Sequence, residues 1–365
     1  MKTLKIKAMA SLAGCLLIMS SSDAASGSDF LNKDNIDAII EDAEKEGFVG
    51  VIAISSADQI IYSTGIGEAV SGESRYSDAT VVDIASVTKQ FTGAAILKLE
   101  EDKRLSLDDT LSKYFTSANN EKGAITIHQL LTHTAGFGHH IGRDEEAISK
   151  DDYVDRALSS ELVGRPGESY RYSNVGYGLL AAIIEAAADE PYENYLFSAL
   201  WQPAGMFTTG YFRPHWSNRD VPTLEEPFKG LDSALAILEK NGPKSWHLIG
   251  NGGVLSTAED MLKWHQALIG TDILSETSKE KLFASHVSED EPGFYYGYGW
   301  SIVPEHAQGK LVWHNGMSFF GKAEFWRFPE SGYAIFIASH SGPVSPYSIA
   351  SKLAATIHAG AAVEK

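Results

Sequence analysis

The sequence holds one cysteine in 365 residues, Cys15, so disulfides cannot carry the stability of the chain. Positive charge is also scarce: 30 Lys and Arg stand against 48 Asp and Glu, a formal net charge of −18. That sign argues against nucleic acid and anionic membrane faces as partners. Internal repeats, low-complexity tracts and long linkers are missing too, which excludes solenoids and strung-out linker architectures. No G-x-S-x-G elbow is present, which argues against an α/β-hydrolase. What remains, 44% apolar and 21% charged, is the composition of a globular chain able to bury a sizeable core.

The N-terminus carries Lys2, Lys5 and Lys7, then the uncharged stretch Ala8 to Met19, then the small residues "SSSDAASG". This is the layout of a secretory signal peptide over residues 1–25, with cleavage near Ala24 or Ala25. Twelve residues are too few for a bilayer span, which needs roughly 20, so the mature chain is expected to have no transmembrane segment. Export to the periplasm or medium is the expectation, with a mature chain of 27 basic and 47 acidic residues, about −20 in charge. Cys15 in "LAGC" also resembles a lipoprotein processing site. The "LLIM" that follows it makes acylation the lesser reading.

Hydrophobic periodicity predicts an amphipathic helix over 32–46, then strands in "FVGVIAIS" and "QIIYSTGIG". Helical patterns follow from near Ser86 and at 127–133, 151–159, 175–188, 191–201 and 231–241. A further helix starts in "STAEDM", where Ser256 and Glu259 have capping-box spacing. "YGYGWSIV", "KLVWHNG", "KAEFWRFP" and "YAIFIAS" read as successive strands, and a last helix runs from Pro346 to His358. Strands at both chain ends with helices between them predict an α+β fold: an antiparallel sheet flanked by helices, with a mainly helical insert. The division expected is 26–105 with 245–365 as one subdomain and 106–244 as the other. A groove between them is the natural site.

"DIASVTKQFTGAAIL" poses the chemical question, because Lys89 is the one charge in a helix that is otherwise apolar nearly all round. A lysine three residues after a serine lies on nearly the same helical face. Burying an unpaired ammonium costs several kcal/mol, which lowers its pKa and leaves a basic amine beside the Ser86 hydroxyl. The same spacing recurs at Ser278 and Lys281, but inside the charged "SETSKEK", where a solvated face explains it. Spacing alone therefore decides nothing; the apolar setting does. The bland alternative at Ser86 is a serine cap with a snorkelling lysine.

Two companions raise the odds. Tyr172 and Asn174 follow the loop "GRPGES" and precede a helix, so both side chains can reach one cleft, whereas Tyr192 and Asn194 lie within a helical pattern. "LVWHNGM" puts His314, Asn315 and Gly316 at the end of an apolar strand, with Gly316 leaving room for a ligand beside the backbone; the other H-x-G triplets, at His140 and His358, fall in a loop and at a helix end. Together S-x-x-K, Y-x-N and H-x-G in this order resemble the serine β-lactamase and penicillin-binding-protein superfamily, in its class C-related branch. Flanking stretches such as "ITIHQLLTHTAGF", "PGESYRYSNVGYGLL" and "GGVLSTAEDM" carry the resemblance from about residue 30 to 357.

The resemblance implies that Ser86 is the acylated nucleophile, Lys89 its proton acceptor and Tyr172 a general base or proton relay. It implies that Asn174 positions the substrate amide, with His314, Asn315 and Gly316 along the substrate, and that the N–H groups of Ser86 and Met317 form the oxyanion hole. The third motif departs from the family's K-T-G. Histidine is mostly neutral at pH 7, so it is expected to be a weaker, pH-dependent anchor for a substrate carboxylate. The function expected is an exported serine hydrolase for small esters, amides or peptides, esterase- or D-amino-acid-peptidase-like, with weak β-lactamase activity. The alternatives are a true class C-like β-lactamase or D-Ala-D-Ala carboxypeptidase, and a non-catalytic peptidoglycan- or peptide-binding relative. No cofactor or metal is called for. His133, His139 and His140 lack a companion ligand pattern, and "GIGEAV" lacks the third glycine of a dinucleotide fingerprint.

Overall fold

The computed structural model describes residues 33–361, apart from 58, 119, 215, 217, 218, 220, 223–232 and 320. The expected export segment, Cys15 within it, lies outside the described residues.

The chain opens with helix α1 (Lys33–Lys45) and the strands β1 (Val49–Ser55) and β2 (Ile60–Ile66). Helix α2 (Lys89–Glu101), helix α3 (Asn174–Ala188) and helix α4 (Ala258–Ala267) are the main helices between the two strand-rich ends. Strands β3 (Val287–Ser288), β4 (Tyr295–Tyr296), β5 (Ser301–Val303), β6 (Leu311–Met317), β7 (Lys322–Phe328) and β8 (Tyr333–Ser341) follow, then helix α5 (Pro346–Ala361). They form one eight-stranded sheet, ordered β2-β1-β8-β7-β6-β5-β4-β3. Every neighbouring pair in it is antiparallel. The sheet is thus assembled from the two ends of the chain, as the strand pattern predicts.

Both faces of its centre are buried. Successive side chains on a strand point to opposite faces. Val51 and Ala53 of β1 and Phe336 and Ala338 of β8 join the large core shared with α2, α3 and α4. Ile52, Ile54, Ile335 and Ile337 pack on the other face under Ile36 and Ile40 of α1 and Leu353 and Ile357 of α5. Burial on both sides is why "VIAIS" and "YAIFIAS" read as unbroken apolar runs instead of alternating ones.

Two local expectations are corrected. The helix in "STAEDM" is capped by Thr257, whose side chain accepts from the Asp260 N–H, while Ser256 ends a short strand paired with Val82. "YGYGWSIV" does not run as one strand: Gly297 to Trp300 form a loop between β4 and β5. That loop presses on α2, because a Cβ on Gly93 would sit 2.3 Å from the Tyr298 carbonyl oxygen and one on Gly299 2.3 Å from that of Lys89. Bulk is excluded here because the backbone itself occupies the space.

Gly93→Ala tests this contact against helix propensity. Propensity alone favours alanine by about 1 kcal/mol, whereas overpacking costs about 1–3 kcal/mol. The urea midpoint is expected to fall; a rise would show that the Tyr298 carbonyl yields freely.

Candidate active site

Ser86 lies in a 3-10 turn, Ala85–Thr88, that leads into α2 at Lys89. In a 3-10 turn residues i and i+3 eclipse, a closer alignment than the α-helical spacing anticipates. Several anchors hold the turn. Val82 and Asp83 pair with Ser256 and Leu255, and the Ala85 N–H donates to Asp83 Oδ1 at 2.8 Å. Ala85 sits at φ 45°, a left-handed conformation costly for any residue with a Cβ. Among the described residues the Ser86 N–H has no acceptor, as befits an orphan of the first turn, and Ser86 lines the cleft.

Lys89 is fully buried. Its Nζ lies 3.2 Å from Ser86 Oγ, 2.8 Å from Asn174 Oδ1 and 2.6 Å from the Asn251 carbonyl oxygen. Those three neighbours match the amine's hydrogen-bonding capacity, so it does not snorkel to water. Burial holds its pKa well below the ordinary lysine value, with Asp144 pulling weakly the other way. The Tyr172 ring lies 4.8 Å from the same Nζ, and the Ser86 side chain acts on its phenol. Burial pushes that phenol above its usual value, against the smaller opposite effect of Ser86, so it stays protonated at neutral pH.

Asn174 starts α3, with Ser173 as N-cap accepting from the Gly176 N–H. Its own N–H donates to the His139 carbonyl at 3.0 Å, which fixes the amide side chain toward Lys89. Tyr172 rests on His133, ring centroids 4.4 Å apart. His133 Nδ1 accepts from the Ser173 N–H at 3.1 Å, so this buried, neutral ring holds the backbone on which Tyr172 and Asn174 are carried.

The third motif is placed differently from expectation. Ser86, Tyr172, Asn174, Asn315 and Met317 line one cleft, but His314 is buried behind its wall. His314 Nδ1 lies 2.6 Å from the Asn315 carbonyl and must donate to it, so Nε2 accepts from the Tyr296 hydroxyl at 3.0 Å. Both ring nitrogens are spent on the protein. Burial, together with Lys89, lowers the imidazole pKa to about 3. It is therefore neutral across the physiological range and does not supply the pH-dependent carboxylate anchor expected of it. Gly316 also serves packing in place of a ligand: a Cβ there would lie 2.2 Å from the Ile84 carbonyl oxygen, so β6 abuts the turn that carries the nucleophile.

The sequence reading missed Asn251, because what it offers Lys89 is a main-chain carbonyl, and Asp83 and Asp144, which fall in no motif. Asp83 lines the cleft, and burial raises its carboxyl pKa to about 6. His139 and His140, set aside as metal ligands, also line the cleft. Among the described residues no group of three or more His, Cys, Asp or Glu side chains is placed to hold a metal ion, and no helix is long and apolar enough to cross a membrane.

With this geometry in view, comparison with known proteins is specific. The family model described as Beta-lactamase matches residues 36–357. Penicillin-binding protein 4* of Bacillus subtilis (strain 168) is 28% identical over 289 residues, covering 75% of this chain and 64% of that protein. The octameric penicillin-binding protein homologue from Pyrococcus abyssi superposes with a TM-score of 0.77 at 27% identity, covering 91% of this chain and 77% of that one. The D-amino acid amidase from Ochrobactrum anthropi SV3, at 20% identity and a TM-score of 0.73 over 91% of this chain and 99% of that one, shares the fold. The chain spans 58–64% of the length of the first curated relatives it matches.

The buried neutral state of His314 has a consequence for stability. Between pH 6.5 and about 3 the unfolded chain takes up a proton there that the folded chain refuses, so this residue's contribution falls as pH falls through that window. His314→Gln removes that uptake. The loss of urea midpoint from pH 7 to pH 4.5 is expected to be smaller in the variant than in wild type; an equal loss would mean that the imidazole protonates in the folded protein.

Proposed function

We propose that this chain, which belongs to the Beta-lactamase family, is a serine hydrolase that cleaves small esters or amides through an acyl-enzyme on Ser86. The observation that carries the reading is the fully buried Lys89, its Nζ 3.2 Å from Ser86 Oγ, with the pKa held down by burial. A neutral amine at that distance accepts the hydroxyl proton as Oγ forms its bond to the acyl carbon. The carbonyl oxygen becomes an oxyanion facing the N–H groups of Ser86 and Met317. Tyr172, protonated and beside Ser86, is placed to pass a proton to the departing alkoxide or amine and to recover one from the Lys89 ammonium; water then attacks the acyl carbon, losing a proton to the neutral Lys89 amine, and the Ser86 oxygen leaves and takes that proton back. This ordering makes Lys89 the first base, since the phenol would first have to lose a proton that burial holds on it.

The same geometry weighs against efficient β-lactam or D-Ala-D-Ala turnover. Those substrates bring a carboxylate, and His314 is neutral with both nitrogens engaged. Structural neighbours sharing the fold include EstCE1, described as a hydrolase with promiscuous acyltransferase activity, and the D-amino acid amidase. In the division drawn from the sequence, Ser86 and Lys89 belong to the sheet subdomain and Tyr172 and Asn174 to the helical one, so substrate enters between them. We place the reaction outside the cytoplasm on the strength of Lys2, Lys5, Lys7 and the run Ala8 to Met19.

Incubation with a fluorophosphonate is expected to add one adduct mass to wild type and none to Ser86→Ala; labelling of both, or of neither, removes the proposal. Lys89→Met is expected to lower kcat/KM on p-nitrophenyl acetate by roughly 10²–10⁴-fold, the usual contribution of a positioned base. On the same preparation, nitrocefin turnover is expected to fall below ester turnover; the reverse order would restore the β-lactamase reading.

A further inference from the structure

The cleft at Ser86 encloses about 340 Å³. Its fixed charge has one sign. Asp83 and Asp144 line it, and among its described lining residues there is no lysine or arginine. Lys89 lies beneath the floor with its amine taken up by Ser86, Asn174 and Asn251. Of the two histidines on the wall, His139 is held neutral, its pKa lowered to about 4 by burial.

The two carboxylates differ in what they do. Asp83 is committed to the fold: Oδ1 accepts from the Ala85 N–H at 2.8 Å and Oδ2 from the Ser318 hydroxyl at 3.0 Å. Asp144, on the loop after His139 and His140, makes no hydrogen bond or ion pair among the described residues, although it is half-buried in the cleft wall. Burial raises its pKa, and the largest influence in the other direction is His140, whose ring meets Asn174 on the same cleft wall. A half-buried carboxylate without a partner is costly, and the group that offsets this cost is a cation brought by the ligand.

Resting on the acyl-enzyme reading, we infer that Asp144 is the subsite for a substrate ammonium. The acyl donors taken by Ser86 are then amides or esters that carry a free amine. The cleft discriminates in both directions, because the same carboxylate attracts an amine and repels the carboxylate of a β-lactam or a peptide C-terminus.

The test is competition against hydrolysis of p-nitrophenyl acetate, a neutral substrate, by D-alaninamide and by N-acetyl-D-alaninamide, which differ in the ammonium. In wild type D-alaninamide is expected to inhibit with a constant at least tenfold lower. In Asp144→Asn the ratio of the two constants is expected to shrink to within about twofold, whatever the absolute rate, and in Asp144→Glu to remain above about fivefold, the single-pair scale of a charge-assisted bond. Equal inhibition by the two amides in wild type, or a ratio that survives in Asp144→Asn, overturns the ammonium subsite while leaving a labelled, ester-cleaving Ser86 intact. Absence of both ester turnover and fluorophosphonate labelling overturns the acyl-enzyme reading, and this inference with it.

Discussion

An amine buried without a counter-ion is the constraint around which the rest of the site is arranged. Lys89 Nζ has lost its water, and the fold returns three oxygen neighbours from three separate segments: Ser86 in its own turn, Asn174 at the head of α3 and Asn251 in the loop before Gly252. None of the three is a carboxylate. An ion pair would have held the lysine protonated and useless as a base, whereas neutral acceptors satisfy the hydrogen bonds and leave desolvation to lower the pKa. The geometry of the pair and the acid–base state it needs thus have the same origin.

Close backbone packing makes that arrangement possible. The first turns of α2 must be sealed from water, and Gly93 and Gly299 let the loop 297–300 lie directly on them. Gly316 does the same on the other flank, bringing β6 against Ile84. Behind Tyr172, a cluster of rings that includes His133, Tyr177 and Tyr296 excludes solvent from the phenol and the imidazoles alike. One consequence of this dry interior is that each of these ionisable groups is shifted toward its neutral form: lysine down, tyrosine up, histidine down.

Much of this was legible in the sequence where the signal was local. An isolated lysine in an apolar helix, a tyrosine and asparagine leading into a helix, and a histidine ending an apolar strand are patterns of adjacent residues, and periodicity gave the sheet and its flanking helices. What stayed hidden depends on contacts far apart in the chain. The oxygen that Asn251 gives Lys89 belongs to the main chain, so no side-chain pattern marks it. Thr257 outcompetes Ser256 as a cap because Ser256 is already paired with Val82. His314 reads as a ligand-binding histidine until Tyr296, 18 residues earlier, is found to donate to it.

The replacement of a permanent cation by His314 is then more than a loss of charge. A lysine in that buried place would sit near Lys89 and add a second desolvated amine to the same interior, whereas histidine fits because it can be neutral and use both nitrogens on protein groups. Asp144 lines the cleft with no hydrogen bond or ion pair among the described residues, and no lysine or arginine lines it to balance that carboxylate. On the inference that Asp144 receives a substrate ammonium, the third motif and the 139–146 loop act together, the one withholding a cation from the cleft and the other presenting a carboxylate to it.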